Sequence, residues 1–94
     1  MTAKCVLFDT GFITRTPAAL VALMSAQVTE YSLIERHQSG DFGDLSPEDW
    51  SANERAVADG GRVFSSYRVA PDTKVWVITE ADRSSTTLLL PSDY

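Results

Sequence analysis

Apolar positions fall along the chain in three blocks, each with its own period. Near the start, Lys4-Cys5-Val6-Leu7-Phe8 is a short apolar run containing β-formers and reads as a strand. Asp9-Thr10-Gly11 is turn chemistry, and Phe12-Ile13-Thr14 reads as a second short strand. The two would close a hairpin with Gly11 at the turn.

The second block is helical. Thr16-Pro17 opens a first helix: the hydroxyl can accept free backbone N–H groups, and proline at the first position loses no bond. Leu20, Val21, Leu23 and Met24 supply its apolar stripe. Thr29 caps a second helix with Glu30 in its first turn, where a carboxylate suits the dipole. Leu33, Ile34 and His37 share one face of it, and Gly40 suits its C-terminal end. Asp41-Phe42-Gly43-Asp44-Leu45 is a loop. Ser46-Pro47-Glu48-Asp49 then opens a third helix with Trp50, Asn53, Ala56 and Val57 on one face, stopped by Gly60-Gly61.

The third block alternates. Arg62 to Val69 is a strand with Val63, Ser65, Tyr67 and Val69 on one side. Lys74 to Glu80 is apolar on both sides and reads as a central strand, and Ser85 to Leu90 as a third, ended by Pro91. The order predicts an α+β fold. It has an N-terminal strand or hairpin, three helices and a C-terminal three-stranded antiparallel meander. The helices cover one face, leaving Ser66 and Arg68 on the other, with Ser85–Leu90 as the edge open to pairing.

The chain of 94 residues reads as a single domain, 1–94, with 44% hydrophobic and 22% charged residues, ordinary globular usage. That composition excludes collagen, a coiled coil and a disordered tail. The single cysteine excludes an internal disulfide framework and a multi-cysteine zinc site, and Cys5 reads as a small buried hydrophobe. The run Ala18 to Met24 is far shorter than the ~20 residues of a membrane span. The apolar run between Lys4 and Asp9 is too short for a signal peptide. The expected location is cytoplasmic, away from membranes.

The net charge of −5 is unevenly spread: residues 1–34 and 61–94 each sum to zero. The excess lies in 35–60, where Glu35, Asp41, Asp44, Glu48, Asp49, Glu54 and Asp59 face only Arg36 and Arg55. This sign disfavours direct nucleic-acid contact and anionic lipid, and favours a protein with a basic surface, a cation, or plain solubility.

One cluster has the chemistry of a site. His37, Asp41 and Asp44 could hold a divalent ion through nitrogen and oxygen ligands, with Glu48 and Asp49 close by. The same residues also suit a structural reading, in which the aspartates satisfy loop N–H groups and His37 is a half-buried helix residue. Arg83, between Glu80, Asp82 and a tight turn, is either an anion-binding side chain or a turn stabiliser. The hydroxyls Ser65, Ser66, Ser84, Ser85, Thr86 and Thr87 lack a nucleophile-elbow motif and read as strand residues. Trp50, Trp76, Phe64 and Tyr67 read as core, or as interface anchors if exposed. No glycine-rich phosphate loop follows a strand, so no nucleotide or other cofactor is expected.

Two stretches carry a resemblance. Arg36-His37-Gln38-Ser39-Gly40-Asp41-Phe42-Gly43-Asp44-Leu45 resembles the R-H-x-x-G-D-[WF]-G-D-L segment of a family of small proteins borne on bacterial plasmids and integrating elements. Trp76-Val77-Ile78-Thr79-Glu80-Ala81-Asp82-Arg83-Ser84, with Thr86-Thr87 and Leu89 to Tyr94, is similar to that family's C-terminal signature, and Thr16-Pro17 also fits. Members are often labelled plasmid-related or as a modification subunit of type I restriction systems. This chain has neither an N-P-P-[FY]-like motif nor a cofactor-binding strand–turn–helix, so the second label does not suit it. The resemblance brings no catalytic residues.

The resulting expectation is a non-enzymatic accessory protein of a mobile element. It binds a host protein through Asp41, Asp44, Glu48, Asp49 and Arg83, as an acidic anti-defence inhibitor (anti-restriction or anti-CRISPR). The alternatives are a small metal-assisted enzyme using His37, Asp41 and Asp44, and a homo-oligomeric scaffold built on open sheet edges.

Overall fold

The computed structural model describes residues 6–94. Lys4 and Cys5, and with them the start of the first expected strand and the expected burial of Cys5, lie outside the described residues. From Val6 to Phe8 the backbone is not strand. It leans on the second helix instead: Leu7 N–H donates to the Gln38 carbonyl (2.9 Å), and the Gln38 side-chain amide donates to the Phe8 carbonyl (2.9 Å).

The elements are β1 (Phe12–Arg15), α1 (Pro17–Ala26), α2 (Glu30–Gln38), α3 (Pro47–Asp59), β2 (Val63–Ala70), β3 (Thr73–Thr79), β4 (Ser85–Leu89) and a 3-10 turn over Pro91–Asp93. Each helix starts where its cap chemistry places it. Thr16, Thr29 and Ser46 are extended, and their hydroxyls accept from the N–H groups of Ala19, Ser32 and Asp49. Ser39 rather than Gly40 ends α2, and Gly60 ends α3.

The sheet runs β1-β4-β3-β2 and is mixed. The meander β2-β3-β4 is antiparallel as expected, but β1 corrects the expected hairpin: it lies parallel beside β4, with Ile13 opposite Thr86 and Arg15 opposite Leu88. The chain bends at Phe8 rather than over residues 9–11, and Phe12 runs along β4 rather than back along 6–8. Gly11 makes the approach feasible: its φ is +65°, and a Cβ there would lie 2.2 Å from the Ser84 carbonyl oxygen.

Two apolar clusters form the core. Leu23 of α1 and Leu33 and Ile34 of α2 pack with Tyr67, Val75, Val77 and Leu88, which share one face of the sheet. Phe42, Leu45, Trp50, Ala56 and Val57 gather with Phe8 and Val63 beside β2. The opposite face carries Phe64, Trp76 and Tyr94 in edge-to-face contact, at 5.0 and 5.7 Å between ring centroids. Ser66 lies on that face but is buried, correcting its expected exposure, because residues 42–44 run alongside it. Arg68 is exposed as expected.

The β2 edge is closed. Asn53 of α3 donates from Nδ2 to the Phe64 carbonyl (2.5 Å) and accepts at Oδ1 from Phe64 N–H (3.0 Å), standing in for a partner strand. Ser66 N–H donates to the Phe42 carbonyl (3.0 Å), and Asp44 N–H donates to the Ser66 carbonyl (2.7 Å). The expected open edge, Ser85–Leu90, is interior to the sheet because β1 covers it. Among the described residues no helix is long and apolar enough to cross a membrane.

Candidate functional site

The expected ion-binding trio is not assembled. His37 is completely buried and spends both ring nitrogens on hydroxyls, Nδ1 on Ser65 (2.6 Å) and Nε2 on Thr79 (2.9 Å). Thr79 Oγ1 lies 2.6 Å from Thr86 Oγ1, and Thr86 donates to the Thr10 carbonyl (2.8 Å). A carbonyl can only accept, so the sense of the chain follows from its end. Thr86 gives its proton to Thr10, Thr79 therefore donates to Thr86, and His37 donates from Nε2 to Thr79. Nδ1 is left to accept from Ser65. The network places a proton on Nε2, and burial disfavours a second one on Nδ1, which keeps the imidazole neutral. Burial pushes its pKa down to about 3, helped by the Arg83 charge. The ring also stands edge-on to Phe8, 5.1 Å between centroids, and Phe8 in turn lies under the Arg83 guanidinium.

Asp41 and Asp44 act in the loop. Asp41 accepts from Arg36 Nε (2.7 Å) and from Gly43 N–H (3.2 Å). Arg36 stacks over the Tyr67 ring at 4.5 Å, and the Tyr67 hydroxyl donates to the Asp41 carbonyl (2.6 Å). Burial raises the Tyr67 pKa, and the bond to Asp41 raises that of Arg36. Asp44 points to the other side of the loop, where Lys74 Nζ (3.1 Å) and Arg68 (3.5 Å) hold its pKa below the usual carboxylate value. Among the described residues no three His, Cys, Asp or Glu side chains are grouped to hold a metal ion.

Arg83 serves the fold. It has a positive φ of 62°, and its guanidinium donates to the carbonyls of Gly61 (2.5 Å), Glu80 (3.2 Å), Ala81 (3.3 Å) and Ala56 (2.9 Å). A cation on the last carbonyls of α3 opposes the negative end of that helix. With its donors directed at carbonyls, the side chain is not aimed at a partner's anion.

The acidic block does not form the one patch that the charge map suggests. Asp41 and Asp44 are matched by Arg36, Lys74 and Arg68. Helical spacing distributes the α3 carboxylates around its axis: Glu48 and Asp59 point outward around Arg55, while Asp49 and Glu54 lie on opposite flanks. Glu48, Asp49, Glu54 and Asp59 form no ion pair among the described residues.

What converges is a groove of about 390 Å³ on the sheet face opposite α1 and α2, beside the first turn of α3. Half-buried Phe64 and Trp76 line it together with Asp44, Asp49, Lys74 and Ser66. Two of the expected partner-binding residues, Asp44 and Asp49, therefore meet aromatic side chains that sequence reasoning preferred for the core. The alternation of β3 held a signal for this: Val75 and Val77 point to the helices, so Trp76 points away.

Comparison of the chain with protein-family models, curated proteins and solved structures finds no match.

Proposed function

We propose that this chain is a non-enzymatic binding protein whose docking surface is the groove on the sheet face opposite α1 and α2, and whose partner is a protein presenting basic side chains. The observation that carries this reading is the pairing of two half-buried aromatics with a carboxylate rim. An arginine or lysine side chain can lay its stem and charge over Trp76 and Phe64 while reaching Asp49. Asp44 is shared with Lys74 and Arg68, so Asp49 supplies the groove's unmatched negative charge. Aromatic anchors bordered by polar groups are the usual energetic centre of an interface. In the setting the motif resemblance implies, the chain is an accessory protein of a mobile element, and the partner is a host protein that it occupies as an anti-defence inhibitor.

Titration with an arginine-rich peptide, followed by amide and indole NMR shifts, tests the groove. Shifts centred on Asp49, Phe64 and Trp76 that weaken with added salt are expected, since exposed charges are screened beyond ~8–10 Å near physiological ionic strength. Shifts elsewhere, or binding indifferent to salt, would remove this reading. Affinity capture of host proteins on the chain, with Asp49→Lys as the control, then identifies the natural partner.

A further inference from the structure

The two edges of the sheet are finished differently. Asn53 and residues 42–44 close the β2 edge. On the other side, Phe12 N–H donates to the Ser84 carbonyl (3.0 Å) and Thr16 N–H to the Leu88 carbonyl (3.0 Å), so these alternate residues point their backbone groups at β4. The N–H and C=O groups of Ile13 and Arg15 therefore face outward. Among the described residues nothing pairs with them. Phe12 is 83% exposed and Ile13 39%. The strand has no proline or bulge to discourage edge pairing; its short length and Arg15 are the devices that it does carry.

We propose that β1 pairs antiparallel with β1 of a second copy of this chain, about a two-fold axis passing through Thr14. The strand is self-complementary in this register. The two outward-facing residues are separated by one position, so centring the pair on Thr14 sets Ile13 opposite the second copy's Arg15, and the converse. Each such pair exchanges both N–H···O=C bonds, which satisfies every outward-facing group of β1. Thr14 then faces its symmetry mate in a non-hydrogen-bonded pair with Cα atoms about 4.5 Å apart. That pair extends the hydroxyl ladder already present between Thr14 Oγ1 and Thr87 Oγ1 (2.8 Å) on the sheet face opposite α1 and α2. Charge permits the approach: Arg15, the one charged residue of β1, is held by Glu30 of α2, so neither copy presents a net charge at the seam. The product is one continuous sheet in which the 4-stranded sheets of both copies join. A strand of four residues buries well under the ~800 Å² per partner of a standard interface, so the association is weak and concentration-dependent.

Sedimentation from micromolar to millimolar concentration should show the average mass rising from monomer toward dimer. Ile13→Pro deletes an outward-facing N–H without touching a β1–β4 bond, and should abolish the rise while circular dichroism stays unchanged. Should that variant misfold, Ile13→Lys keeps the N–H and should weaken association through a charge at the seam. In a Cys5→Ser background, Thr14→Cys should cross-link rapidly under oxidised glutathione, because the paired Cα atoms lie within disulfide reach. Thr87→Cys, one strand in, should not. A monomer at millimolar concentration, association that survives both Ile13 variants, or equal cross-linking from positions 14 and 87 would overturn the proposal.

Discussion

At the scale of single residues, the polar groups that sequence reasoning marked as chemistry are absorbed by packing. His37 is the plainest case. Its place on the apolar face of α2 was legible, but the hydroxyls that occupy it come from Ser65 and Thr79, backed by Thr86, on strands far along the chain. The linkage to pH follows from its depressed pKa. The unfolded imidazole takes a proton near pH 6.5, whereas the native one resists until about 3. Its contribution is therefore fully present above pH 6.5 and is lost as pH falls toward 3, at ~1.4 kcal/mol per pH unit across that window. Denaturant unfolding between pH 8 and pH 4 should show this loss, and His37→Gln should flatten it; parallel profiles would show that His37 is not its source. Gly43 makes a sharper case. Its φ is +79°, and a Cβ would lie 2.2 Å from the Ser66 carbonyl oxygen. Gly43→Ala should cost about 2 kcal/mol or more of unfolding free energy, through backbone strain and displacement of the loop from β2. A melting temperature equal to the parent's would show that the loop is not held there.

At the scale of elements, local chemistry sufficed for boundaries but not for partners. Thr16-Pro17, Thr29-Glu30 and Ser46-Pro47 located all three helix starts because a cap is decided within four residues. The strands of the meander fell within a residue of expectation because short turns join them. β1 was legible as a strand over Phe12 to Thr14, yet its parallel pairing with β4 was not, since no local feature selects a partner that distant. The same limit hid Asn53. Its position on the inner face of α3 was evident, but its use as a surrogate strand depends on where α3 meets β2. Asn53→Ala removes both bonds to Phe64 and strands that residue's N–H and C=O. The expected loss is about 2–4 kcal/mol by denaturant unfolding, with Phe64 N–H exchanging faster in hydrogen exchange. Unchanged protection at Phe64 would mean that water or another group replaces the amide.

At the scale of the whole molecule, the segments Arg36–Leu45 and Trp76–Ser84 are halves of one assembly. Arg36 to Leu45 supplies the buried imidazole and the loop on β2; Trp76 to Ser84 supplies Thr79 and the guanidinium over the end of α3. The surface charge count pointed to the correct segment, but helical geometry and three basic side chains from α2, β2 and β3 divided it, leaving Asp49 and the aromatics as the part that converges. The parallel pairing of β1 with β4 has a temporal consequence as well. Thr14 and Thr87 are 73 positions apart, so β1 leaves a ribosome well before β4 and has no place to dock until β4 has followed. Until β4 arrives, the segment Phe-Ile-Thr-Arg is open to pairing by nascent neighbours, and joining β1 to the sheet is a slow, long-range closure.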